Sequence, residues 1–554
     1  MSVYSGSHRR WLPQLVAGCL FMLGVCPLAE ARDDKKEEPK SVITDLTLTL
    51  PAAEGTIKYR ATAGYQPLLD DKGKTKAQFF HVSYVKIGDD GVPLNTEQQA
   101  QRPVTFAFNG GPGSSSVWLH LGALGPVRLQ MGPAGEQLSS TGNVEPNPLS
   151  WLAFTDLVFI DPISTGYSRA AEGEDAKQFH GLDEDANAVG EFIRLWLVRN
   201  ERWSSKKYLA GESYGSTRSA ALAPRLQSAL GINLEGIVLI SPVLNFATLS
   251  FNVGNDTAYP LYLPSYAATA VYHGKVTLPA GQTLAQFLKT AESFALSEYT
   301  VALAKGDTLG KAEADAIAAR LSGFIGISPE FIKRANLRVR DSEFFKELLR
   351  DQERTVGRLD SRFKGIDRSD TGERAEYDPS YTAIQGSFTA ALNSYIRQTL
   401  NFRSDTPYEI LTGAVQPWNY GRSRNRYTNV SEDLRSAMAQ NPYLRVLTTC
   451  GYYDLATPYF AMDYTVSHMG LDPARRANLT QTYYHAGHMM YIRKDDFEQF
   501  YNDVRAWYAK PSPETVPMSP VGVPANAPVN NPANIPANIP ANIPANIPAA
   551  GQGK

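Results

Sequence analysis

Five short apolar runs, "TFAFNGG", "DLVFID", "KKYLAGES", "LEGIVLISP" and "LRVLTTCGYYD", each stop at Gly, Asp, Ser or Pro, and they narrow the possible folds more than any other feature. Runs that are apolar throughout, rather than alternating, describe strands buried on both faces, as in parallel sheets. Helical patterns separate several of them. "LDEDANAVGEFIRLWLVRNE" carries acids at its start, Val189, Phe192, Ile193 and Trp196 at helical spacing, and Arg199 near its end, the charge order that a helix dipole favours. This alternation predicts an α/β fold with a mostly parallel central sheet and helices on both faces.

From about Leu249 to Leu400 the texture changes to successive helical patterns, among them "TLAQFLKTAESFALSEYTVALAKG", "KAEADAIAARLSGF" and "DSEFFKELLRDQE", with no clear strand. Strand texture returns at Leu444. The expected organisation is one α/β core in two parts, 46–248 and 401–510, split by a helical cap over 249–400. With 554 residues, of which 43% are hydrophobic, the chain can bury such a core.

The two ends read differently. Residues 1–31 combine His8-Arg9-Arg10, the apolar "WLPQLVAGCLFMLGV" and Ala29-Glu30-Ala31, as a cleavable export signal does. Their apolar run is shorter than the ~20 residues a spanning helix needs, so no integral span is expected after cleavage. Export to the periplasm or the medium follows. Lipoprotein anchoring at Cys19, in "VAGC", stays open, as does the twin-arginine route. Residues 32–45, with "RDDKKEEPK", are expected to be a charged disordered segment. Residues 511–554 repeat a proline-containing unit in "NIPANIPANIPANIPA" and are expected to form an extended, disordered spacer.

A net charge of −2 offers no broad attraction to nucleic acid. Of the three cysteines, Cys19 and Cys26 lie within the signal, which leaves Cys450 and no internal disulfide. Cys450 reads as a small buried residue at the end of a strand rather than a thiol nucleophile.

"AGESYG" sets Ser213 between Gly211 and Gly215, after a strand and before the helical "YGSTRSAALAPRLQSAL". Such a string alone is weak evidence, but a strand before it and a helix after it are the context of a nucleophile elbow. A hydroxyl of ordinary pKa needs a histidine to take its proton and an acid to orient that histidine. His488 lies in "YYHAGHMMY", and Asp454 follows a strand in "TTCGYYDLATP". The order Ser213, Asp454, His488 is that of α/β-hydrolases. His81, His120, His180, His273 and His468 lie in ordinary contexts. His485 and His488 are spaced as metal ligands can be, yet no cysteine or acidic cluster accompanies them, so no metal and no cofactor is expected. His485 then reads as a structural or pocket-wall residue. Tyr259, Tyr262, Tyr266 and Tyr272 read as core packing.

Five ordered blocks, "FNGGPGSSSVWLHLGALGP", "NPLSWLAFTDLVFIDPISTGYS", "AGESYG", "GYYDLATP" and "HAGHMMY", resemble those of serine carboxypeptidases over most of residues 100 to 495. The resemblance implies an α/β-hydrolase fold, with Ser213 as nucleophile, Asp454 as orienting acid, His488 as general base and Met489 lining the leaving-group side. An attacked carbonyl becomes an oxyanion that needs two backbone donors, for which the amides of Gly111 and Tyr214 are the matching pair. Gly110 lets the main chain approach the substrate closely. The resemblance further implies recognition of a peptide's free C-terminal carboxylate by Asn109 and Glu212. Two carboxyls sharing one proton work best in acid, so activity should be favoured below neutral pH. Eukaryotic-type members carry a second glutamate where this chain has Ala123, a tryptophan where it has Ala107 and a cysteine where it has Ser114, so the clamp is altered. An esterase, lipase or acyltransferase on the same fold, a catalytically silent envelope binding protein and a metal-dependent hydrolase are the other readings. The oligomeric state is open.

Overall fold

In the computed structural model, which describes residues 41–51, 55–139, 141–423 and 425–511, one ten-stranded sheet organises the chain. Its main strands are β1 (Val42–Thr49), β2 (Thr56–Leu69), β3 (Thr75–Lys86), β4 (Val104–Phe108), β5 (Asp156–Ile160), β6 (Lys207–Glu212), β7 (Gly236–Ile240), β8 (Arg445–Gly451) and β9 (Leu479–Tyr484). They run in the order β1-β2-β3-β5-β4-β6-β7-β8-β9, and the short strand Arg169–Ala170 pairs with β3. From β5 through β9 every pairing is parallel, whereas β1, β2, β3 and β5 pair antiparallel in turn.

The five apolar runs are β4 through β8. Every residue of β4, β5, β7 and β8 is buried, as expected of parallel strands covered on both faces. Phe106, Val158, Leu209 and Leu239 face one layer of core, with Phe192 and Trp196 of α1 (Leu182–Arg199) and Leu222 of α2 (Tyr214–Ser228). Ala107, Leu157, Ala210 and Val238 face the opposite layer.

The antiparallel edge and β9 are not among those five runs. In β2, Ile57, Tyr59, Ala61 and Ala63 are buried while Lys58, Arg60 and Thr62 are not, so only one face is apolar. A period-two reading identifies such a strand; a search for continuous apolar runs passes over it. The expected disordered segment 32–45 is corrected at its C-terminal end. Val42 to Asp45 form half of β1, held by register pairing with Ala63 to Arg60 and by a two-bonded Arg60–Asp45 contact at 2.8 and 2.9 Å. The export signal, Cys19, residues 32–40 and the tail from 512 onward lie outside the described residues.

β7 and β8 are adjacent and parallel, yet 241–444 run between them. This stretch carries α3 (Ala258–Tyr272), α4 (Leu284–Phe294), α5 (Lys311–Ile325) and α6 (Pro379–Gln398). It also holds two strand pieces that helical periodicity does not reveal, Thr355–Val356 and Lys364–Gly365, paired antiparallel. Helix α3 is apolar nearly all round, and Tyr259, Tyr262 and Tyr266 are buried on it, with Tyr266 stacked on Phe344 at 4.0 Å between ring centroids. Tyr272, at its last position, is exposed instead. Phe388 and Leu392 of α6 and Phe500 and Val504 of α7 (Lys494–Ala509) fill the second core layer. No helix among the described residues is long and apolar enough to cross a membrane. Cys450 is buried in β8, and burial pushes its thiol well above its ordinary pKa, which makes it a poor nucleophile.

Candidate active site

Four strands deliver the sequence-derived residues to one end of the sheet. Asn109 follows the C-terminal end of β4, Ser213 that of β6, Asp454 that of β8 and His488 that of β9. Carboxyl ends of parallel strands are where open α/β sheets build sites, because loops there converge while the strands stay rigid.

Ser213 sits in the turn between β6 and α2 with φ 58° and ψ −126°, a left-handed backbone for a non-glycine residue. Its amide donates to the Ile240 carbonyl at 3.0 Å, which anchors the turn on β7. The flanking glycines are required by contact. A Cβ at Gly211 would lie 2.2 Å from the Gly215 carbonyl oxygen, and one at Gly215 would lie 2.7 Å from that of Phe108. A Cβ at Gly110 would lie 2.4 Å from the Tyr214 nitrogen, so the chain after β4 rests directly against the first amide of α2. Gly111, next along at φ 100°, turns the backbone in that corner. The side chain of Tyr214 points elsewhere and accepts from Trp418 Nε1 at 2.9 Å.

Asp454 and His488 meet in a buried pair. His488 Nδ1 lies 2.7 Å from Asp454 Oδ2, which also accepts from the Thr457 hydroxyl at 2.7 Å. Asp454 Oδ1 accepts from the amides of Ala456 and Thr457 at 2.8 and 2.9 Å. With Nδ1–H committed to the carboxylate, Nε2 is left as the proton acceptor. Burial pulls the imidazole pKa down, but the Asp454 charge, their hydrogen bond and the nearby Glu212 outweigh it, and His488 titrates above its ordinary value. The segment before α6 anchors this pair through its backbone: His488 N donates to Leu359 O at 2.7 Å, Ser361 N to Tyr453 O at 3.0 Å, and Leu455 N to Arg358 O at 3.1 Å.

Glu212 is buried against the same corner. Asn109 and the Tyr491 hydroxyl both hydrogen-bond its carboxyl, the latter at 2.6 Å to Oε2. Burial is the largest influence and pushes Glu212 up to about 7, against the pull of the His488 charge and these two donors. Asn109 is itself fixed, since its Oδ1 accepts from Leu119 N at 3.1 Å and its carbonyl from Arg218 Nη1 at 2.7 Å.

Arg218 ties three elements together, pairing with buried Asp185 of α1 at 2.6 Å from α2 while it holds the end of β4 through Asn109. Its guanidinium lies over the rings of Phe108 and Tyr214. Arg218→Ala would leave the Asp185 carboxylate buried without its partner, which costs roughly 3–5 kcal/mol. The expected result is a urea midpoint lowered accordingly, read by circular dichroism; an unchanged midpoint would show the pair to be dispensable.

A cavity of about 220 Å³ opens over these groups. Asn109, Gly110, Gly111, Glu212, Ser213, His488 and Met489 line it, so seven of the nine residues singled out from sequence share one space. Asp454 lies behind His488, and Tyr214 reaches the corner through its amide. Among the described residues no hydrogen bond joins Ser213 Oγ to His488; contacts of this kind are commonly long without substrate and close when it binds. His485 is exposed and stands apart from the cavity, its amide donating to Asp496 Oδ1 at 2.7 Å and its ring edge-on to Tyr452.

The sequence pattern of the serine carboxypeptidases matches residues 51–499. The chain belongs to that family. Serine carboxypeptidase-like 37 of Arabidopsis thaliana is 28% identical over 208 residues, which are 36% of this chain and 38% of the relative. The pheromone-processing carboxypeptidase KEX1 of Yarrowia lipolytica is 32% identical over 142 residues, 25% of this chain and 21% of its own length. Both alignments therefore span well under two thirds of the relative. The crystal structure of the prohormone-processing carboxypeptidase KEX1(delta)p from Saccharomyces cerevisiae superposes with a TM-score of 0.52 at 16% identity, covering 83% of this chain and 92% of that one. That likeness establishes the α/β-hydrolase fold.

Several site residues carry no separate signal in the sequence. Trp118, Tyr381, Ile384 and Leu411 form an apolar wall of the cavity, and the exposed Arg358 adds a cation at its rim. Trp118 Nε1 donates to the hydroxyl of Ser114, one of the positions that departs from the eukaryotic-type pattern, at 3.0 Å. Thr457 and Tyr491 lie three residues beyond Asp454 and His488, so adjacency to a triad candidate was the one available pointer to them.

Proposed function

We propose that this chain is an exported serine carboxypeptidase, releasing C-terminal residues from peptides through an acyl-enzyme. The observation that carries the reading is the 2.7 Å Asp454–His488 pair facing the cavity that Ser213 enters from its strained turn. In this reading His488 Nε2 takes the Ser213 hydroxyl proton as Oγ bonds to the scissile carbonyl carbon. The amides of Gly111 and Tyr214 receive the oxyanion. The carbon–nitrogen bond then breaks, His488 returns the proton to the leaving amine, and a water deprotonated by His488 releases the acyl group. Glu212 and Asn109 bind the terminal carboxylate beside the Met489 wall, and the helical stretch 249–400 acts as a cap over the cavity. Export rests on the signal-like first 31 residues.

The pH dependence tests the carboxylate clamp. Glu212 binds a carboxylate only while it carries the shared proton, so peptide-acid hydrolysis should fall as pH rises through about 7. His488 must be neutral to act, so every substrate should lose rate on the acid side. A blocked dipeptide is therefore expected to give a bell-shaped kcat/KM profile, and a simple ester without a carboxylate only the acid-side loss. Amino-acid release that is absent in Ser213→Ala supports the assignment. Ester cleavage without any dipeptide cleavage would make the protein an esterase instead.

A further inference from the structure

The Tyr491 hydroxyl donates to Glu212 Oε2 at 2.6 Å, and it comes from the same loop as His488, within the turn Met490–Ile492. The Tyr491 ring is completely buried. It lies against Gly122, where a Cβ would stand 2.5 Å from Tyr491 Cε2 and 2.9 Å from Cδ2. Gly122 precedes Ala123, whose small buried side chain offers no polar group to Glu212. The missing side chain at Gly122 leaves space that the phenol fills.

We propose that Tyr491 is a positioning residue of the carboxylate clamp, which holds Glu212 Oε2 and leaves Oε1 as the oxygen that meets the terminal carboxylate of the peptide. This rests on the carboxypeptidase reading above and names the group that orients its clamp. A carboxyl has two oxygens that exchange by rotation about one bond. Tied at Oε2 by a donor 2.6 Å away, it presents the other oxygen in one direction. Burial and the adjacent Glu212 raise the Tyr491 pKa well above its ordinary value, so the phenol stays neutral and remains a donor across the working range. Asn109 completes the arrangement from the opposite chain segment.

The charged groups that face Glu212 are few. His488, on the loop after β9, favours its ionised form, and Asp454, after β8, opposes it. Arg358 stands exposed at the cavity rim. Because the Tyr491 hydrogen bond also favours ionised Glu212, its removal has a defined sign. Glu212 would hold its proton to higher pH, and the clamp would lose its orientation.

The test uses the full-length Ser213→Ala protein, in which binding is read without turnover. Calorimetry compares a blocked dipeptide acid with the same dipeptide as its C-terminal amide across pH. Tyr491→Phe keeps the ring against Gly122 and deletes only the hydroxyl. The expected result is acid binding weakened roughly five- to tenfold below neutral pH, where Glu212 holds its proton and the contact is worth one ordinary hydrogen bond, with amide binding unchanged. The pH above which acid binding is lost should also move upward. Gly122→Ala, which pushes the ring aside while keeping the hydroxyl, should weaken acid binding in the same selective way. Equal weakening of acid and amide, or an unmoved midpoint, would overturn the proposal. Amino-acid release by the native protein reads the parent assignment separately, so native peptidase activity beside an unselective Tyr491→Phe would reject Tyr491 alone.

Discussion

Ser213→Ala is expected to lower kcat on a blocked dipeptide by ~10⁶, and His488→Ala by about as much, with the double variant scarcely worse than either. The non-additivity is the informative part. Oγ forms the new bond only as Nε2 removes its proton, so either atom without the other leaves the oxyanion amides and binding alone. Folding should survive, because alanine meets the same left-handed strain at φ 58° as serine, and among the described residues no hydrogen bond from Oγ is lost. A fluorophosphonate should label the native protein at Ser213 and leave Ser213→Ala unlabelled. Retained turnover, or label on another residue, would remove the nucleophile assignment.

Asp454→Asn is expected to cost ~10⁴ in kcat with little change in KM. The surrounding donors decide the outcome. The amides of Ala456 and Thr457, at 2.8 and 2.9 Å, require an acceptor at the Oδ1 position, so asparagine must place its carbonyl there. Its NH₂ then faces His488 Nδ1, where Asp454 Oδ2 stood at 2.7 Å. Two donors cannot share that contact, and the imidazole moves its proton to Nε2, the nitrogen that must accept from Ser213. Thr457, whose hydroxyl lies 2.7 Å from Oδ2, is left with the Ser241 carbonyl at 2.9 Å as its acceptor. A loss below tenfold, measured as kcat on the dipeptide, would mean that His488 is oriented by something other than Asp454.

The legibility of this chain followed the kind of order each segment uses. The strands from β4 to β8 were readable because burial on both faces demands an uninterrupted apolar run. Strand β2 was passed over because its buried residues alternate with Lys58 and Arg60, and β9, "LTQTYY", because only its two end residues are buried. The Ser213 turn leaves a mark in the sequence because close backbone contact restricts Gly211 and Gly215 to one residue type, and a strand before and a helix after give that mark its meaning. In the stretch before α6, the site depends on carbonyls: Leu359 O holds His488 N, and Arg358 O holds Leu455 N. Any residue has a carbonyl, so no residue type there announces the role.

Glu212 shows the division most clearly. Sequence placed it beside Ser213 and found Ala123 where a second glutamate would complete a pair. Only the fold brought Tyr491 across to bond it at 2.6 Å, through space opened by Gly122. By itself the sequence determined the local features: which segments are buried strands, where the tight turn must be, and which serine, acid and histidine are the candidates for the triad. Tertiary structure decided the partnerships, because a hydrogen bond between residues 279 positions apart depends on how the sheet and loops close, and short-range residue patterns do not encode that.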